Sequence, residues 1–196
     1  MFIEPHFGKS KKTGWIEVIC GCMFSGKTEE LIRRLNRSII AKQKVEIFKP
    51  KIDTRYHEAN VVSHNRTSIR STAVDFASDI LLMAGECDVV GIDEAQFFDN
   101  SIVEVCNKLA NGGKRVIVAG LDMDFEGKPF GPMPYLLAVA EFVTKVHAIC
   151  ADSGELASFS YRLSDQEEKV VLGERQEYEA RSRASFVEGM EKRRKS

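Results

Sequence analysis

The chain has no apolar run long enough to cross a bilayer, and Met1 to Thr13 lack the apolar core of a secretory leader. Neither secretion nor a membrane span is therefore expected. Net charge is nearly absent as well, with 28 basic against 29 acidic side chains, so nothing draws the whole chain to nucleic acid or an acidic surface. The basic run Lys192-Arg193-Arg194-Lys195 is short and terminal, and is expected to be solvated. Cysteine is sparse. The five cysteines (20, 22, 87, 106 and 150) are scattered and mostly sit inside apolar runs, the pattern of reduced, buried thiols and not of a disulfide framework. Repeats and low-complexity blocks are missing too. At 196 residues the chain allows one full domain and a small appendage. A chain of this length buries about 70% of its unfolded surface, so the main fold needs no staple.

What is present centres on one stretch. Trp15 to Cys20 reads as a buried strand, Gly21-Cys22-Met23-Phe24-Ser25-Gly26-Lys27-Thr28 as a glycine-bounded loop, and Glu29 to Ile40 as a helix. The loop fits the phosphate-binding pattern GxxxxGKT in its strand-loop-helix context. Gly21 and Gly26 let the backbone turn so that its N–H groups and the following helix N-terminus converge on phosphate oxygens. Lys27 can reach the β- and γ-phosphates, and the Thr28 hydroxyl can ligate Mg²⁺. The pattern points to nucleoside triphosphate binding and leaves the acceptor open. In the helix, Leu31, Ile32, Leu35, Ile39 and Ile40 share a face, which leaves Arg33, Arg34 and Arg37 expected in solvent.

Further along, Val45 to Phe48 reads as a strand ending at Pro50. Lys51 to Ser71 is a long polar loop of the functional kind, holding Asp53-Thr54-Arg55-Tyr56, His57, His64 and Arg66. Val61 to His64 and Ser68 to Arg70 fit a small hairpin within it, and the two histidines read as loop residues, not ligands. Ser78 to Ala84 and Asn100 to Ala110 read as helices, and Cys87 to Ile92 and Lys114 to Ala119 as strands. Met123 to Pro134 is a glycine- and proline-interrupted loop. Tyr135 to Ala140 reads as a short helix and Phe142 to Ile149 as a last core strand. Alternating strands and helices predict an α/β fold, a P-loop (RecA-like) parallel sheet flanked by helices, with ligands at the C-terminal strand ends. After Cys150 the texture changes, and Ala157 to Leu163 with Lys169 to Leu172 read as a β-hairpin. The expected divisions are an arm at 1–13, a nucleotide-binding domain at 14–149, a small lobe at 150–187 and a charged tail at 188–196.

Val89-Val90-Gly91-Ile92-Asp93-Glu94 is an apolar strand ending in two acids. Asp93 is the candidate Mg²⁺ ligand beside the phosphate loop, and Glu94 the candidate base toward a hydroxyl acceptor. The plainer reading, an acidic pair opening the next helix, loses weight once the phosphate loop is present. Asp93-Glu94-Ala95-Gln96 also has the form of a helicase acidic box, but a helicase core needs a second domain that this chain has no room for. Arg55 is the candidate loop cation for transferring charge.

Together these residues resemble the type II thymidine kinase family. Gly21 to Thr28, with its Met-Phe pair, looks like that family's phosphate loop. Asp53 to Tyr56 matches its DTRY segment, and Gly91-Ile92-Asp93-Glu94-Ala95-Gln96-Phe97-Phe98 its GIDEAQFF box. Gly120-Leu121-Asp122-Met123-Asp124-Phe125 with Pro129-Phe130-Gly131 matches its GLDxDF…PFG loop, and Tyr178-Glu179-Ala180-Arg181 its YEAR segment. The similarity runs from about Gly14 to Phe186. It implies transfer of the ATP γ-phosphate to the 5′-hydroxyl of thymidine. Glu94 then falls on the general base, Lys27, Thr28, Asp53, Asp93, Ala95 and Gln96 on the ATP and Mg²⁺ side, and Arg55 on a phosphate contact. Met23, Phe97, Leu121, Phe125, Phe130 and Tyr178 fall on the nucleoside pocket, with the backbone of Lys169, Val170, Val171, Leu172 and Gly173 holding the thymine ring. The family is cytosolic, usually a homotetramer, and inhibited by thymidine triphosphate (dTTP).

One departure stands out. The family ties its small lobe with zinc through two cysteine pairs, and the matching positions here are Cys150, Ser153, Ser182 and Ser185. Hydroxyls are poor Zn²⁺ ligands beside thiolate or imidazole, so no structural zinc is expected. The lobe would rest on an apolar core drawn from Leu156, Phe159, Tyr161, Leu163, Val170, Val171 and Leu172. Of the aromatics near the site, Phe98 and Tyr135 are expected to serve packing. The rival readings are a kinase of deoxyuridine or deoxycytidine, a nucleotide-gated binding protein without catalysis, and a nucleic-acid-stimulated ATPase. Near-neutral charge counts against the last.

Overall fold

The computed structural model describes residues 13–51, 60–62, 68–164 and 177–195. Among them the chain runs β1 (Trp15–Cys20), α1 (Lys27–Ile40), β2 (Val45–Pro50), β3 (Asn60–Val62), β4 (Ser68–Arg70), β5 (Thr72–Val74), α2 (Ala77–Met83) and β6 (Val89–Ile92). A 3-10 turn (Ala95–Phe97), α3 (Ser101–Asn111), β7 (Arg115–Gly120), α4 (Met133–Val139) and β8 (Phe142–Lys145) follow. The last elements are β9 (Ala148–Ile149), β10 (Leu156–Ala157), β11 (Phe159–Arg162), β12 (Tyr178–Arg181) and α5 (Arg183–Lys195).

Six strands form one sheet in the order β5-β2-β6-β7-β1-β8, every pairing parallel. The unbroken apolar runs explain it, because a parallel sheet is covered on both faces. On one face Ile19, Ile47, Val89, Ile117 and Ala119 pack against Leu31, Ile32 and Leu35 of α1. On the other, Ile16, Val18, Phe48, Val90, Ile92, Val116 and Val118 pack against Ile80 of α2, Ile102, Val105 and Leu109 of α3, and Leu136 of α4. The two sets alternate along each strand, as a pleated backbone requires. All five cysteines are buried and unbridged.

The structure corrects several expectations. Arg34 is fully buried, not solvated, while Ile39 and Ile40 are exposed at 46% and 80%. Arg34 turns inward because Glu17 and Thr144, from β1 and β8, meet its guanidinium at 2.9 Å each. The run from Phe142 to Ile149 is two strands: β8 closes the main sheet, and β9 leaves it to pair antiparallel with β10. Among the described residues β11 pairs with β12, and the segment 169–172, expected as the other arm of its hairpin, lies outside them. The charged tail is helical, because α5 continues to Lys195. Phe98 is buried as expected, but Tyr135 is 58% exposed. In the lobe Phe159 and Tyr161 cluster with Phe186, whereas Leu156 and Leu163 face solvent and Val170 to Leu172 lie outside the described residues. The small hairpin is present as β3 and β4, and β5, an edge strand of the main sheet, carried no sequence signal.

Candidate active site

β1, β7 and β6 are adjacent and parallel, so their C-terminal ends deliver three loops to one edge. β1 leads into Gly21 to Thr28, β6 into Asp93-Glu94, and β7 into Leu121-Asp122. Gly21 sits at φ 148°, and a Cβ there would come within 2.2 Å of the Val146 carbonyl oxygen, so no side chain fits. Inside the loop, the Ser25 hydroxyl and the Lys27 ammonium both donate to the Cys22 carbonyl, at 2.8 and 2.7 Å. The loop also rests on β10 and β11. The Met23 N–H donates to Ser160 Oγ at 3.0 Å, and Cys22 Sγ–H to the Ala157 carbonyl at 3.3 Å. Burial pushes the Cys20 thiol up to about 11 and also raises that of Cys22, so both stay protonated and unreactive near neutrality.

The Thr28 hydroxyl donates to Asp93 Oδ2 at 3.2 Å. This places one hydroxyl and one carboxylate together at the mouth of the loop. Two such oxygens could hold a hard divalent cation such as Mg²⁺. Burial pushes the Asp93 carboxyl well above the usual carboxylate range, and the neighbouring Glu94 charge adds to the rise. The Glu94 N–H, Thr28 and Lys27 pull the other way. Among the described residues there is no group of three or more His, Cys, Asp or Glu side chains that could hold a metal.

Glu94 has φ 51° and ψ 39°, a left-handed conformation that is costly for a residue with a side chain. The neighbouring bonds hold it there. Its N–H donates to Asp93 Oδ1 at 2.9 Å, and its carboxylate accepts from Gln96 Nε2 at 2.5 Å. Gln96, 2% exposed, accepts the Leu121 N–H on its other end at 2.9 Å, and so bridges the ends of β6 and β7. Phe97 and Phe130 meet edge to face with centroids 5.7 Å apart. Phe125 and Tyr178 both contact Arg162. Asp53, Arg55 and Lys169 to Gly173 lie outside the described residues. Thus Gly21 to Thr28, Asp93, Glu94, Gln96 and Leu121 meet at one edge, while Phe125 and Tyr178 meet through Arg162.

Sequence reasoning missed Arg162, the buried Glu17–Arg34–Arg115 cluster and the pair of Asp122 with Lys145 at 2.6 Å. An arginine amid the apolar stretch from Phe159 to Leu163 was the available hint. The four positions matching zinc ligands do converge. The Ser153 N–H donates to Cys150 Sγ at 3.4 Å, and the Ser153 and Ser182 hydroxyls are 3.4 Å apart. The Ser185 hydroxyl donates to Asp152 Oδ2 at 2.7 Å. Burial raises the Cys150 thiol pKa, but N–H and hydroxyl donors from Ser153, Ser182 and Asp152 outweigh it and bring the value down to about 6.

Comparison with known proteins gives the family of the chain. The thymidine kinase family model matches residues 14–186. The chain belongs to the thymidine kinase family. Curated thymidine kinases are similar over nearly full length. That of Bacteroides fragilis (strain YCH46) is 57% identical over 194 residues, covering 99% of this chain and 98% of the relative. That of Rhodothermus sp. (strain ITI 518) is 63% identical over 173 residues, covering 88% and 81%. That of Porphyromonas gingivalis (strain ATCC BAA-308 / W83) is 57% identical over 184 residues, covering 94% and 90%. Among solved structures, the flagellar accessory protein FlaH from Methanocaldococcus jannaschii matches with TM-score 0.50 at 11% identity, over 74% of this chain and 75% of that one. This likeness concerns the α/β fold alone. The chain is therefore an enzyme with thymidine kinase function that uses ATP, and the α/β fold expected from its sequence is the one observed. No helix among the described residues is long and apolar enough to cross a membrane.

Proposed function

We propose that this thymidine kinase transfers the ATP γ-phosphate in line to the thymidine 5′-hydroxyl, with Glu94 as general base. One observation carries the reading. The Glu94 carboxylate is held by Gln96 at the end of β6, next to the Asp93 that Thr28 touches. Glu94 takes the proton of the attacking hydroxyl, an effect worth roughly 10²–10⁴-fold. Backbone N–H groups of Gly21 to Thr28 and the Lys27 ammonium bind and orient the phosphates. When bound, Mg²⁺ supplies charge neutralisation on the phosphate oxygens, and Thr28 and Asp93 would hold it.

The remaining assignments rest on the family resemblance. Asp53 and Arg55 act on the phosphate side. Met23, Phe97, Leu121, Phe125, Phe130 and Tyr178 line the nucleoside pocket, and Lys169 to Gly173 hold the thymine ring. The same resemblance supports a cytoplasmic homotetramer inhibited by dTTP. The lobe is proposed to hold without zinc, since three of the four ligand positions are serine. Metal analysis of protein purified without added zinc checks this, and one zinc per chain would sink it.

The experiment is phosphate transfer from ATP and Mg²⁺ to thymidine, deoxyuridine and deoxycytidine, for the wild type and Glu94→Gln. Thymidine should be the best acceptor. Glu94→Gln keeps the side-chain shape and should keep ATP binding while losing at least 10²-fold in turnover. Near-normal turnover in Glu94→Gln removes Glu94 as base. ATP binding with no transfer to any nucleoside moves the reading to a binding protein.

A further inference from the structure

We infer that Arg162 is a positioning residue of the nucleoside pocket: from inside the protein it fixes the Phe125 ring and the Tyr178 phenol in one arrangement. The inference deepens the proposed function, because it rests on Phe125 and Tyr178 serving the nucleoside.

Three separate segments meet at this guanidinium. Arg162 closes β11, Tyr178 opens β12, and Phe125 comes from the loop after β7. Arg162 is 1% exposed. Its Nε and Nη2 donate to the Tyr178 phenol oxygen at 3.1 and 2.8 Å, so the phenol cannot swing without breaking two bonds. The Cζ of the same guanidinium lies over the Phe125 ring, 3.7 Å from its centroid, well inside cation–π range. Phe125 needs such a support. Its loop is a tight turn closed by a β-bridge between Met123 and Pro129 and by the Asp124 N–H on the Lys128 carbonyl at 2.9 Å, bonds that fix the backbone and leave the rotamer of the ring to its side-chain contacts. The backbone under Arg162 is braced in turn. Arg193 of α5 donates to the carbonyls of Arg162 and Ser164, at 2.5 and 3.0 Å.

Stability alone does not account for an arginine here. A buried guanidinium loses its hydration, and an apolar side chain of similar volume often stabilises as well or better. What the guanidinium adds is direction: a fork for the phenol and a cation over the ring. Aromatic walls already in place spare the nucleoside the cost of ordering them. The hydrogen bonds that shape the phosphate side (Ser25 and Lys27 on the Cys22 carbonyl, Thr28 on Asp93) do not involve Arg162. Loss of the clamp should therefore be felt by the nucleoside and not by ATP.

The test measures kcat, KM for thymidine, KM for ATP and the urea midpoint for the wild type, Arg162→Met, Arg162→Lys, Tyr178→Phe and Arg162→Met/Tyr178→Phe. Arg162→Met should raise KM for thymidine about tenfold and leave KM for ATP within about twofold. Arg162→Lys keeps a cation over Phe125 but loses the fork, and should fall between. Tyr178→Phe should raise KM for thymidine alone, yet add under about twofold on top of Arg162→Met, because the two share one interaction. KM for thymidine unchanged in Arg162→Met, both KM values rising together, or effects that multiply would each overturn the inference. If Arg162→Met does not fold, Arg162→Lys decides: a wild-type KM for thymidine overturns the clamp. A wild type that neither binds nor phosphorylates thymidine overturns the pocket reading and this inference with it. An active wild type with unaffected variants overturns this inference alone.

Discussion

Glu17 is the single side chain whose neutralisation should harm this protein most. It is 0% exposed on β1 and faces two arginines. Its carboxylate accepts from Arg34 Nη1 at 2.9 Å, and from Arg115 Nε and Nη2 at 2.6 and 3.2 Å. Trp15 Nε1 adds a bond at 2.7 Å. Arg34 is also tied to Glu30 at 2.8 Å, and Arg115 to Ser38 at 3.1 Å. Glu17→Gln keeps the volume and one accepting oxygen but removes the charge between two guanidiniums that have left water. Breaking a buried pair on one side costs about 3–5 kcal/mol. For a chain of this size that lowers the melting midpoint by roughly 6–20 °C. The exposed pair of Glu104 with Lys108, at 71% and 58%, sets the contrast, and Glu104→Gln should leave the unfolding midpoints close to those of the wild type. Urea unfolding and thermal melting of the two variants side by side provide the assay. A triple variant, Glu17→Met/Arg34→Met/Arg115→Met, should lie closer to wild type than Glu17→Gln, because it leaves no buried charge behind. Glu17→Gln within about 1 kcal/mol of wild type would refute the reasoning, as would a triple variant less stable than the single one.

Other outcomes follow from the same geometry. Gln96→Leu removes the bonds that Gln96 makes to the Glu94 carboxylate and the Leu121 N–H, and should lower kcat up to about 10²-fold with the fold retained; steady-state kinetics with an unchanged kcat would end that argument. Gly131 has φ 51°, and a Cβ there would lie 2.3 Å from the Gln96 carbonyl oxygen, so Gly131→Ala should cost about 1–3 kcal/mol, read by melting. The Cys150 thiol pKa lies near 6, below its ordinary 9, so its thiolate adds stability that is fully present above pH 9 and is lost as pH falls through 6. Cys150→Ser should show a flatter profile between pH 6 and 9, and identical profiles would exclude the thiolate.

The amino-acid order by itself determined whatever depends on near neighbours. Gly21 to Thr28 announces a phosphate loop because glycines, lysine and threonine act from adjacent positions. Val89 to Glu94 announces an acid-tipped strand, and the alternation of apolar runs with amphipathic segments announces a parallel sheet. Only the tertiary structure decided which strand stands between the two halves of the site: β7, which brings Leu121 to Gln96. It also decided the fate of polar side chains. Arg34 reads as solvated on its own helix and is buried because Glu17 and Thr144 reach it from strands 17 and 110 residues away. Tyr178 to Arg181 becomes a strand because β11 offers it a ladder. Phe125 and Tyr178, far apart in the chain, share one guanidinium. A polar group can be buried only where partners satisfy it, and those partners come from distant segments that no local periodicity records.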